Sequence, residues 1–285
     1  MNQVYLNGEF MPMSEAKISP MDRGFLFGDG IYEVIPSYSG RSVGLGLHLS
    51  RMQEGLDAIE LSMRVDHPEW SAIIEQLANS NDGDNLGIYI QISRGADSKR
   101  NHAMPVGIEA TRFAFAFDIP PPPQPDKASA KRYEVSATRD LRWQRCNIKS
   151  TSLLGNVLHY QHGYARGHHE TILFNAANEL TEAAACNVFV VTDGVIATPL
   201  LDHQKLPGIT RLMLLDMLKK HSSRKVEERV IHRDEVENAD EVWLTSSSKE
   251  VAPVVSIEGQ SVGTGEVGDV WLEAETLFSQ HRYEY

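Results

Sequence analysis

Five prolines crowd into one short stretch, Asp118-Ile119-Pro120-Pro121-Pro122-Pro123-Gln124-Pro125-Asp126. Proline fixes its own φ and has no backbone N–H, so such a run can be neither helix interior nor central strand. It runs instead as an extended, semi-rigid connector. A docking ligand for a proline-recognising domain is the weaker alternative. The break divides the chain into an N-terminal domain of residues 1–118, a linker of 119–127 and a C-terminal domain of 128–285. A length of 285 residues, above the usual size of one domain, fits two.

Both halves mix strands and helices. Val4-Tyr5-Leu6 and Glu9-Phe10-Met11 flank the turn pair Asn7-Gly8, a hairpin signal. Ile31–Ile35 reads as a strand. Leu49, Met52, Leu56 and Ile59 carry helical spacing over Leu47–Leu61, as do Trp70, Ile73, Ile74 and Leu77 over Trp70–Ala78. Strands follow at Gly87–Ser93 and Arg112–Phe117, where phenylalanines alternate with alanines. Beyond the linker, strands are expected at Tyr133–Thr138, Ile172–Phe174, Asn187–Val191, Val195–Thr198 and Glu241–Thr245. Helices are expected at about Leu153–Arg166, Thr210–Lys220 and Val270–Phe278. The pattern predicts an α+β protein without a GxGxxG or GxxxxGK phosphate loop.

Charge excludes some partners. With 27 basic and 39 acidic residues the net charge is −12, which repels phosphate backbones and anionic lipid. Neither nucleic acid nor a membrane is an expected partner. A small anionic substrate remains compatible, because a pocket can be positive on a negative protein. The opening MNQVYLNGEF has no basic n-region ahead of an apolar stretch, and no run approaches the ~20 apolar residues of a membrane span. Cys146 and Cys186 therefore read as reduced thiols of a cytoplasmic protein, without the CxxC spacing of a metal site.

Several polar residues have both an ordinary and a chemical reading. Lys149 lies in Arg145-Cys146-Asn147-Ile148-Lys149-Ser150-Thr151, outside any charge run and just before a helix. Most lysines are solvated surface charges, but this setting also suits a half-buried reactive amine. By itself Glu182 is a loop glutamate, Arg51 an exposed helix arginine, and Pro207-Gly208-Ile209-Thr210 the start of a helix. Ser246-Ser247-Ser248 reads as a polar turn, Leu206 as ordinary loop burial, and Lys99-Arg100 as a basic surface loop. His168 and His169, next to Glu170, read as a solvated helix C-cap in preference to metal ligands.

Four motifs in order change that balance. The stretch Asp22-Arg23-Gly24-Phe25-Leu26-Phe27-Gly28-Asp29-Gly30-Ile31-Tyr32-Glu33-Val34 resembles the N-terminal signature of fold-type IV pyridoxal-phosphate enzymes. Arg145–Ser150 resembles their Schiff-base segment, Asn178–Phe189 the strand supplying an acid to the pyridine nitrogen, and Pro207–Arg211 the phosphate-binding helix start. The resemblance spans about residues 1–280 and implies a two-domain α+β fold, pyridoxal 5'-phosphate as cofactor and a homodimer. Lys149 is implied to be the Schiff-base lysine and the base that moves the substrate α-proton. Glu182 is implied to keep the pyridine nitrogen protonated. Ile209 and Thr210 would offer helix N-terminal amides to the phosphate, Gly208 allowing close approach. Arg51, Ser246 and Ser247 would add phosphate contacts, and Leu206 would pack on the ring.

Within this group the substrate carboxylate selects the member. Lys99-Arg100-Asn101-His102 resembles the D-amino-acid aminotransferases, in which an arginine and a histidine reach over from the partner subunit. Tyr32 matches the tyrosine that completes their carboxylate trap. The implied reaction is D-alanine plus 2-oxoglutarate to pyruvate plus D-glutamate. Transamination of branched-chain L-amino acids or (R)-amines, and aminodeoxychorismate lyase activity, are the alternatives. Two features depart from the subgroup: Ala183-Ala184-Ala185-Cys186 stands where a glycine and serines are common, and Pro36 follows the Tyr32 strand.

Overall fold

Asn7 and Gly8 both take positive φ, 52° and 104°, the conformation that matches a tight turn to twisted strands. They join β1 (Gln3–Leu6) to β2 (Glu9–Pro12) in the computed structural model, which describes residues 3–285. The chain divides between Pro121 and Pro122, inside the proline run. One unit holds the residues up to Pro121 together with Ile148–Leu153, and the second holds Pro122–Asn147 and Leu154–Glu284. Lys149 therefore groups with the first unit although it follows the linker in the sequence.

The first unit continues with α1 (Arg23–Phe27), β3 (Gly30–Tyr38), β4 (Arg41–Ser42), α2 (Leu45–Ala58), α3 (His67–Ser80), β5 (Asn85–Ser93) and β6 (Thr111–Asp118). Its strands form one antiparallel sheet in the order β2-β1-β6-β5-β3-β4. The alternation in β6 sorts its side chains. Ala114 and Ala116 join the core with Ile31, Ile35, Ile88, Ile90, Leu49, Met52 and Trp70. Phe113, Phe115 and Phe117 belong to the opposite face, where Phe115 packs on Tyr89 and Tyr89 stacks on Tyr32. Strand β3 runs through Pro36 to Tyr38, further than expected. Pro36 is therefore inside the strand, opposite Gly87 of β5, with its carbonyl accepting from Val43 N at 2.9 Å.

The second unit begins with β7 (Tyr133–Arg139), α4 (Leu154–Tyr164), β8 (Glu170–Phe174), β9 (Leu180–Ala183), β10 (Asn187–Thr192) and β11 (Val195–Thr198). It ends with α5 (Ile209–His221), β12 (Val226–Glu228), α6 (Arg233–Glu237), β13 (Glu241–Ser246), β14 (Glu250–Ile257), β15 (Gln260–Ser261) and α7 (Asp269–His281). The mixed sheet has the order β12-β11-β10-β13-β14-β7-β8-β9, with β15 on β14. Strands β7 and β8 are parallel and α4 is their crossover. The start of α7 is capped from a distance: Glu241 of β13 accepts from Val270 N at 2.9 Å and Trp271 N at 2.8 Å.

His168 caps α4 through its backbone, its N donating to Gly163 O at 3.1 Å beyond the left-handed Gly167, as expected for a helix C-terminus. The side chains tie to β7, His168 Nδ1 to Ser136 Oγ at 2.8 Å and His169 Nδ1 to Glu134 N at 3.1 Å. Both cysteines are buried and unpaired, and among the described residues no helix is long and apolar enough to cross a membrane.

Candidate active site

Lys149 is held by backbone pairing. Tyr32 N donates to Lys149 O at 3.1 Å, Thr151 N donates to Gly30 O at 2.9 Å, and Ile31 bridges Ser150. Ile148 enters the core beneath the sheet. Gly28, the cap of α1, sits at φ 66°, and a Cβ there would overlap Ser152 of the same segment, so the signature glycine is required by close approach. The half-buried Lys149 side chain ends with Nζ 4.0 Å from the centroid of the Tyr32 ring. These two predicted site residues are therefore brought together.

Arg51 is not an exposed helix residue. It is buried, and its fork meets Glu33, the neighbour of Tyr32: Nε to Oε1 at 2.7 Å and Nη2 to Oε2 at 2.6 Å. His48, one turn earlier on α2, brings Nδ1 to Glu33 Oε2 at 2.7 Å. Burial alone would raise the Glu33 carboxyl, but Arg51 and then His48 outweigh it and hold it at about 2. Burial pushes the His48 imidazole down, against the pull of Glu33, and the nearby Lys149 charge adds to the lowering.

In the second unit Glu182 lies on β9, buried. Its Oε1 accepts from Arg142 Nη1 at 2.5 Å, and its Oε2 from Leu206 N at 2.9 Å and Asn187 Nδ2 at 3.2 Å. Arg142 is braced in turn by Asp140, with Nε to Oδ1 at 3.0 Å and Nη2 to Oδ2 at 2.7 Å. Burial pushes the Glu182 carboxyl up and Arg142 opposes it. The Leu206 backbone is fixed at both ends, its carbonyl accepting from Asn187 Nδ2 at 2.9 Å. A Cβ at Gly208 would overlap the Asn187 amide oxygen, so the close approach at this glycine is to Asn187.

Three features of this unit fit a phosphate. Helix α5 begins at Ile209 and Thr210, both buried, with Gly208 as N-cap and no side chain capping its first amides. Ser246, where β13 ends and Ser247 begins the turn, has its Oγ buried without an ordinary hydrogen-bond partner, the weakly accepting sulfur of Cys186 beside it. Thr245 Oγ1 is likewise buried and unpartnered. Of the departing residues, Ala183, Ala184 and Cys186 are buried; the Cys186 thiol lies 3.5 Å from Glu170 Oε2, and burial pushes it up to about 12. Such a thiol is inert.

Arg100 and His102 lie apart from Lys149 in the sequence, on an exposed loop between β5 and β6. Sequence reasoning missed Glu33, His48, Asp140 and Arg142. His48 and Arg51, three apart on one helix, share a face and could have been found; Arg142 carries no local signal for its contact with Glu182. Among the described residues no group of three or more His, Cys, Asp and Glu is arranged to hold a metal.

Known proteins resemble this chain over nearly its whole length. A sequence model of the family Amino-transferase class IV matches residues 30–257. A D-alanine aminotransferase of Staphylococcus haemolyticus is 36% identical over 284 residues, covering 99% of this chain and 98% of the relative. One of Bacillus licheniformis is 34% identical, covering 96% and 95%. Among solved structures, a branched-chain amino acid aminotransferase of Escherichia coli superposes with a TM-score of 0.88 at 23% identity, covering 98% of this chain and 94% of that one. That superposition establishes the fold-type IV architecture. The family match over most of the chain, together with relatives above 30% identity, makes this protein a member of the class IV aminotransferases.

Proposed function

We propose that this enzyme transaminates D-amino acids, converting D-alanine and 2-oxoglutarate to pyruvate and D-glutamate. Relatives bearing the name D-alanine aminotransferase, 31% to 36% identical over nearly all of the chain, support the substrate class. The observation that carries the site reading is the 4.0 Å contact of Lys149 Nζ with the Tyr32 ring. It sets a reactive amine against the tyrosine assigned to the substrate carboxylate.

Pyridoxal 5'-phosphate, the cofactor of this family, supplies when bound an electron sink for the pair left by breaking the substrate Cα–H bond. In this reading Lys149 would anchor the cofactor, and its Nζ would take the proton from the Cα of the amino donor in one half-reaction and deliver one to the Cα of the new amino acid in the other. Glu182 would face the pyridine nitrogen and keep that nitrogen protonated, a task for a buried carboxyl fixed by Arg142 and Leu206 N. The Ile209 and Thr210 amides, Ser246 and Ser247 would hold the phosphate, with Arg51 as the further contact that the family resemblance implies. Leu206 would pack on the ring. Tyr32 with Arg100 and His102 of the partner subunit binds the carboxylate, and its placement against the side chain sets the handedness.

A homodimer follows from that assignment. Leu154, Val157 and Leu158 leave an apolar stripe of α4 exposed, and Met104 and Val106 are exposed beside Arg100 and His102, surfaces suited to a second copy. Sedimentation should find the active species as a dimer; a monomer with full turnover would contradict the shared site. The two unpaired cysteines support a cytoplasmic location. The deciding assay offers the holoenzyme D-alanine or L-leucine with 2-oxoglutarate. Turnover of D-alanine is expected, and turnover of the L-acid alone would sink the proposal.

A further inference from the structure

Arg23, inside the signature stretch, has no role in the site as described. It is buried, and its Nε donates to Asp29 Oδ2 at 2.8 Å. Its other nitrogens reach the carbonyls of three consecutive residues: Nη1 to Asn101 O at 2.6 Å and Ala103 O at 3.3 Å, and Nη2 to His102 O at 3.4 Å. Those carbonyls belong to the exposed loop that bears Arg100 and His102.

Asp29 is fixed from its other side. Arg94 donates to it through Nε at 2.8 Å and Nη2 at 3.1 Å, and also holds the carbonyls of Ile59 at 2.6 Å and Glu60 at 3.2 Å. Although burial alone would raise it, Arg94 and Arg23 hold the Asp29 carboxyl below its ordinary value, so it stays charged as their anchor. Phe27, at the end of α1, addresses the side chains of the same loop. Its ring centroid lies 5.2 Å from Arg100 Cζ and 5.3 Å from the His102 ring, and 4.8 Å from Arg23 Cζ.

A polar loop without secondary structure loses backbone and rotamer freedom when it must present a fixed pair of donors. A carboxylate site tolerates little misplacement, so the supporting contacts decide how well the donors bind. We propose that Arg23, anchored by Asp29, is the positioning residue of the loop that binds the substrate carboxylate, and that Phe27 orients the Arg100 and His102 side chains. The proposal rests on the carboxylate role assigned above to Arg100 and His102.

The test compares Arg23→Lys, Phe27→Leu, Phe27→Tyr and Arg100→Ala as holoenzymes, reading KM for D-alanine and 2-oxoglutarate, kcat and the unfolding midpoint. Lysine keeps a charge for Asp29 but cannot span three carbonyls. Arg23→Lys and Phe27→Leu should each raise both KM values about tenfold with kcat held within about threefold, and Phe27→Tyr should restore them. A purely structural role would lower the midpoint and kcat while leaving KM alone. Unchanged KM in both variants, with KM raised in Arg100→Ala, overturns this proposal and leaves the carboxylate reading standing. Unchanged KM in Arg100→Ala removes that reading and this proposal with it. If Arg23→Lys does not fold, Phe27→Leu decides alone.

Discussion

Arg51 grips Glu33 at two points, 2.7 Å and 2.6 Å, with both side chains buried. One strand therefore does two jobs, because successive residues point to opposite faces. Tyr32 meets Lys149 on one face, and Glu33 collects Arg51 and His48 on the other. Two charges taken out of water are tolerated here because the pairing is bidentate and a third group satisfies the same carboxylate.

Glu33→Gln tests that grip through pH. The carboxyl sits at about 2 in the folded chain against an ordinary 4.5, so its stabilisation is present above 4.5 and is lost as pH falls through 2. The variant should lose about 3 kcal/mol near neutrality and almost nothing at the acid end. Denaturant unfolding across that range measures it, and an equal loss at both ends would rule out the ion pair as the cause.

Glu275 of α7 should give the opposite slope. It shares Arg282 with Glu250, Arg282 Nη2 lying 3.1 Å from Glu250 Oε2, so two buried carboxyls face one guanidinium. Burial, then the Glu250 charge, push Glu275 up to about 9 while Arg282 pulls it down. A raised carboxyl stabilises fully below its ordinary 4.5 and loses that stabilisation as pH climbs through 9. Glu275→Gln should therefore melt a few degrees above the parent at about pH 9, the gap closing near pH 5. A variant that melts lower at alkaline pH would show that the carboxylate, not its proton, is needed.

Lys149→Ala should lower turnover by roughly three orders of magnitude or more while leaving the circular dichroism of the fold intact. Borohydride should fix the cofactor in the parent and not in the variant. Label retained in the variant would move the anchor to another lysine.

For Glu182→Gln we expect kcat to fall about a hundredfold with cofactor still bound, because an amide keeps an acceptor for Leu206 N but has no carboxylate charge to keep the pyridine nitrogen protonated. Steady-state kinetics on both half-reactions measures it. Activity within about twofold of the parent would take Glu182 out of the proton chemistry.

Much of the fold was legible because it is local. The spacing of Leu49, Met52 and Leu56 marks α2, and Asn7-Gly8 marks the first hairpin. The start of α3 was legible too, although the expected helix began at Trp70: Asp66 accepts from Glu69 N at 2.9 Å, with proline in the first turn. Strand β14 was not expected, and its Pro253 is a residue that runs against a strand inside a sheet. It is tolerated because β7 pairs only from Val254 onward, leaving Pro253 opposite Trp243 alone. The motifs single out Lys149 and Glu182 as candidates, and the helix after the first motif adds Arg51, but no local signal tells what each touches.

By itself the amino-acid order determined where most elements form and where the proline break falls, since turns, caps and apolar periodicity act over a few residues. The tertiary structure alone decided that Ile148–Leu153 pairs with the N-terminal sheet, that Arg142 braces Glu182 across 40 residues of chain, and that Glu33 is the partner of Arg51. Ion pairs and backbone bridges of this kind depend on distances that folding creates between segments remote in sequence. Their strength comes from a buried, low-dielectric setting that exists only once the sheets and helices have packed.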